Sequence, residues 1–106
     1  MFVYMLRCAD GSLYTGITSD VIRRVKQHLG ILKNGAKYTK SHRVVYIEAV
    51  WKCDSDTTAR KTEYNLKKKS RSEKEYIICN PHCLSPEFEF VNPKEYNGYF
   101  DFKTQE

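Results

Sequence analysis

The sequence predicts an α/β domain: a small three-stranded antiparallel sheet flanked by helices, in the order β-β-α-β-α-α. Three observations predict it. Residues 2–8 are apolar at nearly every position, which marks a strand covered on both faces. An Asp10-Gly11 pair separates that run from a second β-rich run over residues 13–17, which marks a hairpin. Two later segments carry apolar residues at helical spacing behind N-cap residues. With 106 residues and 41% hydrophobic content, the chain has enough apolar surface for one core.

The elements follow in order. In the first strand Phe2, Tyr4, Leu6 and Cys8 share one side, and Val3 and Met5 share the other. The hairpin folds the second strand back, so Tyr4 and Tyr14 approach each other across ten residues of sequence. Thr18, Ser19 and Asp20 supply an N-cap for a helix over residues 21–32, with Gly30 as its weak point. Its apolar stripe is Val21, Val25, Leu29 and Leu32, with Ile22 beside it. At helical spacing Arg24 and His28 fall on the edge of that stripe, directed along the sheet face and partly buried.

Residues 33–43 read as a polar loop in which Lys37, Lys40 and Arg43 interleave with Tyr38. Basic residues around an aromatic suit nucleic-acid contact, and a flexible basic linker reads the same way. Residues 44–51, β-branched and aromatic, form the third strand. Asp54-Ser55-Asp56 caps a second helix over residues 57–69. One of its faces holds Ala59, Thr62, Glu63 and Leu66, so Glu63 is a carboxylate on an apolar face. Such a carboxylate needs a cation, a metal or several donors, or it forms a structural salt bridge. Ser70-x-x-Glu73 is a capping box and starts a third helix that ends near Cys79.

Residues 81–106 read as an extended, aromatic segment containing Phe88, Phe90, Tyr96, Tyr99, Phe100 and Phe102. The Phe88/Phe90 alternation suits a short strand, and the segment either packs along the body or docks a second copy of the chain. Charge divides at the same place. Residues 1–80 carry 16 Lys/Arg and 8 Asp/Glu, and residues 81–106 carry 2 and 5. A body of net +8 points to a polyanionic partner, although a solvated lysine-rich surface has the same composition. A tail of net −3 suggests a segment that folds over the basic face as a nucleic-acid mimic.

The chemistry excluded is as clear as the chemistry suggested. No apolar stretch approaches the ~18 residues of a membrane span, and no targeting signal is present, so a cytoplasmic protein is expected. The four cysteines contain no Cys-x-x-Cys pair, and reduced thiols are expected. Cys79, His82 and Cys83 make a poor metal site, because adjacent His82 and Cys83 rarely bind one ion and no fourth ligand is evident. Glycine-rich phosphate loops, nucleophile elbows and His-Glu-x-x-His are absent.

What remains is an ordered set: Tyr4, Tyr14, Gly16, Arg24, His28 and Glu63. Tyrosine, arginine and histidine can supply a general base, a transition-state cation and a proton-transfer group for phosphodiester cleavage. Phe2-Val3-Tyr4 and Tyr14-Thr15-Gly16 resemble the two signature tripeptides of the GIY-YIG nuclease superfamily. Arg24, ten residues after Tyr14, stands where that family's catalytic arginine is expected, and His28 matches a histidine of several branches. Residues 35–39 and 66–71 are similar to the small, single-domain URI-type branch. The first glycine of the signature is Phe2 here, and the isoleucine of the second tripeptide is Thr15.

The resemblance covers residues 2–78 and implies a nuclease domain over residues 1–80 with a C-terminal extension over 81–106. It further implies hydrolysis of DNA with Mg²⁺ or Mn²⁺ held chiefly by Glu63. Arg24 would hold the scissile phosphate, and Tyr4 or Tyr14 would take the proton from water, with Tyr14 ranked slightly ahead. Arg24, His28 and the metal would have to favour ionised tyrosine, whose ordinary pKa is about 10. Gly16 lets the backbone come close to the helix and to a ligand, and Lys37, Tyr38 and Lys67 would contact the substrate. A domain this small has little surface for base-edge readout, so recognition of DNA shape or backbone is expected. A catalytically idle nucleic-acid-binding module of the same fold is the alternative.

Overall fold

A computed structural model of the protein describes residues 1–100. Strand β1 (Phe2–Cys8) pairs antiparallel with β2 (Leu13–Thr18), and the Asp10-Gly11 turn joins them. Gly11 adopts φ +86°, in the left-handed region that the turn requires. Helix α1 (Val21–His28) follows, capped by the Asp20 side chain, which accepts from the Arg23 N–H at 3.1 Å. It is one turn shorter than its periodicity predicts, because Gly30 takes φ +80° just past its end and leaves Leu32 exposed.

Residues 33–43 depart from a plain loop by forming α2 (Lys37–Ser41). Strand β3 (Val44–Lys52) then returns antiparallel on the other side of β1. Glu48 occupies an irregularity in this pairing and meets Arg7, which also pairs with Glu75. Helix α3 (Asp56–Lys68) is capped by Ser55, and α4 (Arg71–Cys79) by both halves of the Ser70/Glu73 capping box.

The sheet has four strands rather than three. After a short 3₁₀ turn at Pro81–Cys83, β4 (Glu89–Val91) pairs with β3, giving the order β2-β1-β3-β4. Helix α5 (Lys94–Asn97) then anchors to β3 through the Asn97 side chain, which bonds both the N–H and the C=O of Ile47 at 3.0 Å. The Trp51 indole N–H donates to the Pro81 carbonyl at 2.8 Å. The described part of the C-terminal segment thus packs along the body and adds a fourth strand beside β3. Phe102 and the rest of residues 101–106 lie outside the described residues.

Two apolar clusters cover the sheet. Val3, Met5, Ala49 and Trp51 face α3 and α4, joined by Ala59, Leu66 and Ile77, with Phe88 and Phe90 at the margin. Tyr4, Leu6, Cys8, Ile47 and Val50 face α1 through Val21 and Val25, with Tyr38, Tyr96 and Phe100 beside them. The alternation along β1 therefore has its expected sides. All four cysteines are free. Among the described residues no helix is long and apolar enough to cross a membrane.

Candidate active site

The site forms at the β2 edge of the sheet, on the opposite side from β4. The hairpin register sets Tyr4 directly across from Gly16. The Tyr4 ring lies over that glycine: a Cβ at residue 16 would stand 2.5 Å from the Tyr4 hydroxyl oxygen and 3.1 Å from Tyr14 Cε2. Gly16 thus makes room for two tyrosine rings.

Tyr4 is 1% exposed, and its hydroxyl lies 2.7 Å from His28 Nε2. His28, 5% exposed, places Nδ1 2.8 Å from the Thr39 hydroxyl, and Thr39 donates to the Ala36 carbonyl at 3.1 Å. His28 is more deeply buried than an edge position of α1 suggests, because α2 closes over it. Burial is the main cause that pulls its pKa down to about 4, with the Arg24 charge adding to it. His28 is therefore neutral near pH 7 and is not the cation that sequence reasoning asked of it. Burial also pushes the Tyr4 hydroxyl above the ordinary phenol range, Tyr14 and Glu63 adding to the rise while Arg24 opposes it.

Arg24 is half-buried beside Tyr4. Its Nη1 donates to Gln27 Oε1 and to the Asn34 carbonyl, both at 2.8 Å. Those bonds orient the guanidinium through one nitrogen, and the fork has further donors at Nε and Nη2. Gln27 and Asn34 escaped sequence reasoning, as did Thr39. Asn34 holds a left-handed φ of 72°, which an Asn tolerates better than most residues, but its carbonyl's role has no sequence signal.

From the other layer α3 packs on β2 and carries Glu63 and Lys67 to the same edge. The Glu63 side chain is 23% exposed, and its Oε2 lies 3.5 Å from Lys67 Nζ. Lys67 also stands 5.7 Å above the Tyr14 ring. Tyr14 packs edge-on against His28, with centroids 4.9 Å apart. It also stacks on Tyr38 at 5.8 Å, and Tyr38 stacks on His42 at 3.9 Å and 3°. Tyr38, expected to contact substrate, is thus held between two rings. Lys37 is exposed on α2.

The donor set fits a hard divalent cation bound by few protein ligands. A carboxylate has about four lone-pair positions, and one ammonium near Oε2 leaves others for a metal. Among the described residues no group of three or more His, Cys, Asp or Glu side chains could cage an ion. A single carboxylate completed by water and phosphate suits Mg²⁺, which dehydrates reluctantly.

The family model of the GIY-YIG catalytic domain matches residues 1–77. The chain belongs to the GIY-YIG family. It is 47% identical over 90 residues to the UPF0213 protein FN1575 of Fusobacterium nucleatum, covering 85% of this chain and 88% of that one. It is 42% identical to the UPF0213 protein VNG_2274C of Halobacterium salinarum, covering 72% and 96%. The solution NMR structure of the UPF0213 protein BH0048 from Bacillus halodurans shares 41% identity, covers 80% of this chain and 86% of its own, and superposes with a TM-score of 0.45. In this GIY-YIG chain the two signature tripeptides are therefore the paired strands β1 and β2, whose side chains meet over Gly16.

The His28 environment carries a pH prediction. The folded pKa of about 4 lies below the ordinary value of 6.5, so the unfolded chain binds the proton first as pH falls. The contribution is fully present above pH 6.5 and is lost as pH falls toward 4, for a total of roughly 3 kcal/mol. Urea unfolding at pH 7 and pH 4.5 should show this loss in the wild type. His28→Gln should lower stability at pH 7 but show a shallower fall between those two values. Equal pH dependence in both proteins would refute the assignment.

Proposed function

We propose that the protein is a metal-dependent DNA endonuclease that hydrolyses phosphodiester bonds by recognising DNA shape and backbone. The observation that carries this reading is the hydrogen bond between Tyr4 and neutral His28, with the Arg24 guanidinium beside it. Tyr4 acts as the general base, ahead of Tyr14, because it alone of the two bonds His28. Its raised pKa argues against a standing phenolate, so its proton leaves for His28 Nε2 as the proton of the attacking water arrives on the phenol oxygen. The approach of an anionic phosphate favours imidazolium and so assists that transfer.

Arg24 binds the scissile phosphate through its remaining donors and neutralises charge as the phosphorus becomes five-coordinate. Glu63 would hold Mg²⁺ or Mn²⁺, which would supply positive charge near the leaving group. Lys67 sits beside both Glu63 and Tyr14, a position suited to a flanking phosphate. Fewer Lys and Arg lie among residues 81–106 than in the body, consistent with DNA meeting the β2 side. The absence of a long apolar helix among the described residues is compatible with a cytoplasmic enzyme.

The test is cleavage of labelled single-stranded, duplex, flapped and branched DNAs with Mg²⁺ or Mn²⁺, wild type against Glu63→Gln. The wild type should cut, and Glu63→Gln should lose roughly 10²–10³-fold in rate while keeping DNA affinity, a magnitude typical of removing one key electrostatic group. Binding without cutting by the wild type, indifferent to the metal, would leave the idle binding module as the better account.

A further inference from the structure

We infer that Thr39 is a positioning residue: it fixes His28 in the tautomer that carries its proton on Nδ1, so that Nε2 presents a lone pair to Tyr4. The inference rests on the nuclease reading for its consequence in catalysis, but not for its structural content.

Pairing each hydroxyl proton with an acceptor in reach sets the direction of the chain of bonds. A threonine hydroxyl has one proton. The Ala36 carbonyl, 3.1 Å away, is an acceptor for it, and a carbonyl can only accept. With its proton on that carbonyl, the Thr39 oxygen faces His28 Nδ1, 2.8 Å away, as an acceptor, and Nδ1 donates. A neutral imidazole has one N–H, so Nε2 is left bare. At the other end, the Tyr4 hydroxyl has His28 Nε2 as its hydrogen-bond partner, 2.7 Å away. A buried phenol pairs its own proton where an acceptor is in reach, and that acceptor is Nε2. The order reads Tyr4 O–H to His28 Nε2, His28 Nδ1–H to Thr39, Thr39 O–H to Ala36. Each donor meets an acceptor.

The opposite order leaves a buried proton unpaired. With the proton on Nε2, the Tyr4 hydroxyl would lose His28 as an acceptor. Tyr4 could then pass no proton to His28. Burial makes the direction durable, since Thr39 and His28 are each 5% exposed and water has little access to re-pair them. The same bond explains the placement of α2. This five-residue helix has no side-chain N-cap, and Thr39 is its one buried residue.

In chemical terms the relay balances. As the attacking water forms its bond to phosphorus, its O–H bond breaks and the proton joins the Tyr4 oxygen. The original Tyr4 proton moves to Nε2, and His28 becomes imidazolium with Nδ1–H still on Thr39. The P–O3′ bond breaks with its electron pair on the leaving oxygen.

The test reads tautomer and cleavage separately. Long-range ¹H–¹⁵N spectra of the full chain distinguish Nδ1–H from Nε2–H on His28. Wild type and Thr39→Ser should both show Nδ1–H, and Thr39→Val, near-isosteric but without an acceptor, should show Nε2–H. Cleavage should fall about 10–100-fold in Thr39→Val and stay within about threefold in Thr39→Ser, in line with the usual size of general-base effects. The amide spectrum of each variant checks its fold. An unchanged His28 tautomer in Thr39→Val, or an Nε2–H tautomer in the wild type, overturns the inference. So does a switched tautomer with undiminished cutting. If the wild type cuts no DNA, the nuclease reading fails and the tautomer spectra still decide the role of Thr39.

Discussion

Arg24→Ala should reduce DNA cleavage by roughly 10³-fold, the scale on which a transition-state arginine acts on phosphoryl chemistry. That loss corresponds to about 4 kcal/mol of barrier. The half-buried guanidinium stands beside the Tyr4 hydroxyl, so it can meet phosphate charge and base together. Arg24→Lys should recover little, within about tenfold of Arg24→Ala. An ammonium cannot span two phosphate oxygens while also holding Gln27 and the Asn34 carbonyl. A structural role for Arg24 makes a separate prediction. If it only braced residues 34–35, Gln27→Ala would weaken cleavage nearly as much as Arg24→Ala. We expect Gln27→Ala to cost less than tenfold, because the Asn34 bond remains. Arg24→Ala should also raise the pKa of His28, since the guanidinium charge helps to depress it, and NMR titration of His28 reads this directly. Cutting within threefold of wild type by Arg24→Ala would remove Arg24 from the mechanism.

How far such an argument could be made from sequence differs residue by residue. Tyr4 and Tyr14 were legible as neighbours, because a D-G turn fixes a hairpin and alternation fixes which side each faces. Arg24 and His28 were legible as a pair on α1, since four residues make one helical turn. The burial of His28 was not legible, because it depends on Thr39, eleven residues later, in a segment that looks like a loop. Helix α2 is five residues long and has no side-chain cap, so no periodicity could announce it. Strand β4 spans three residues, and Phe88 and Phe90 hinted at it without saying which strand it would join. Glu63 was visible as an anomaly of its helix face. Its place at the site came only with the packing of α3 on the β2 edge, a contact between distant segments. The acidic tail shows the limit of charge alone: its net sign suggested a cover for a basic face. Its described residues pack Phe88 and Phe90 against one face of the sheet and Tyr96 against the other, with Asn97 bonded to β3, contacts that net charge does not announce.

Gly16→Ala should be nearly as damaging as loss of the base itself, with cleavage falling roughly 10²-fold or more. The reason is steric. The new methyl would stand 2.5 Å from the Tyr4 oxygen and 2.6 Å from its Cζ, far inside contact distance. Backbone strain plays no part, since Gly16 does not have a positive φ. Tyr4 has little freedom to yield, because Val25 and Leu6 share its fully buried cluster. The ring must swing and carry its hydroxyl off His28 Nε2, leaving two buried polar groups unpaired. Overpacking of this kind costs about 1–3 kcal/mol of stability, so the protein should still fold. A double-mutant cycle separates the site effect from a general loss of order. Tyr4→Phe removes the hydroxyl on which the proposed base depends. If Gly16→Ala acts by displacing that hydroxyl, it should cost little further cleavage in the Tyr4→Phe background, while its stability cost persists because Cζ remains in the way. Full additivity of the two cleavage losses would mean that Gly16 acts elsewhere, on Tyr14 or on the approach of DNA. Strong coupling would tie the second signature tripeptide to the first through one contact: a glycine exists in β2 so that a tyrosine of β1 can reach the histidine of α1.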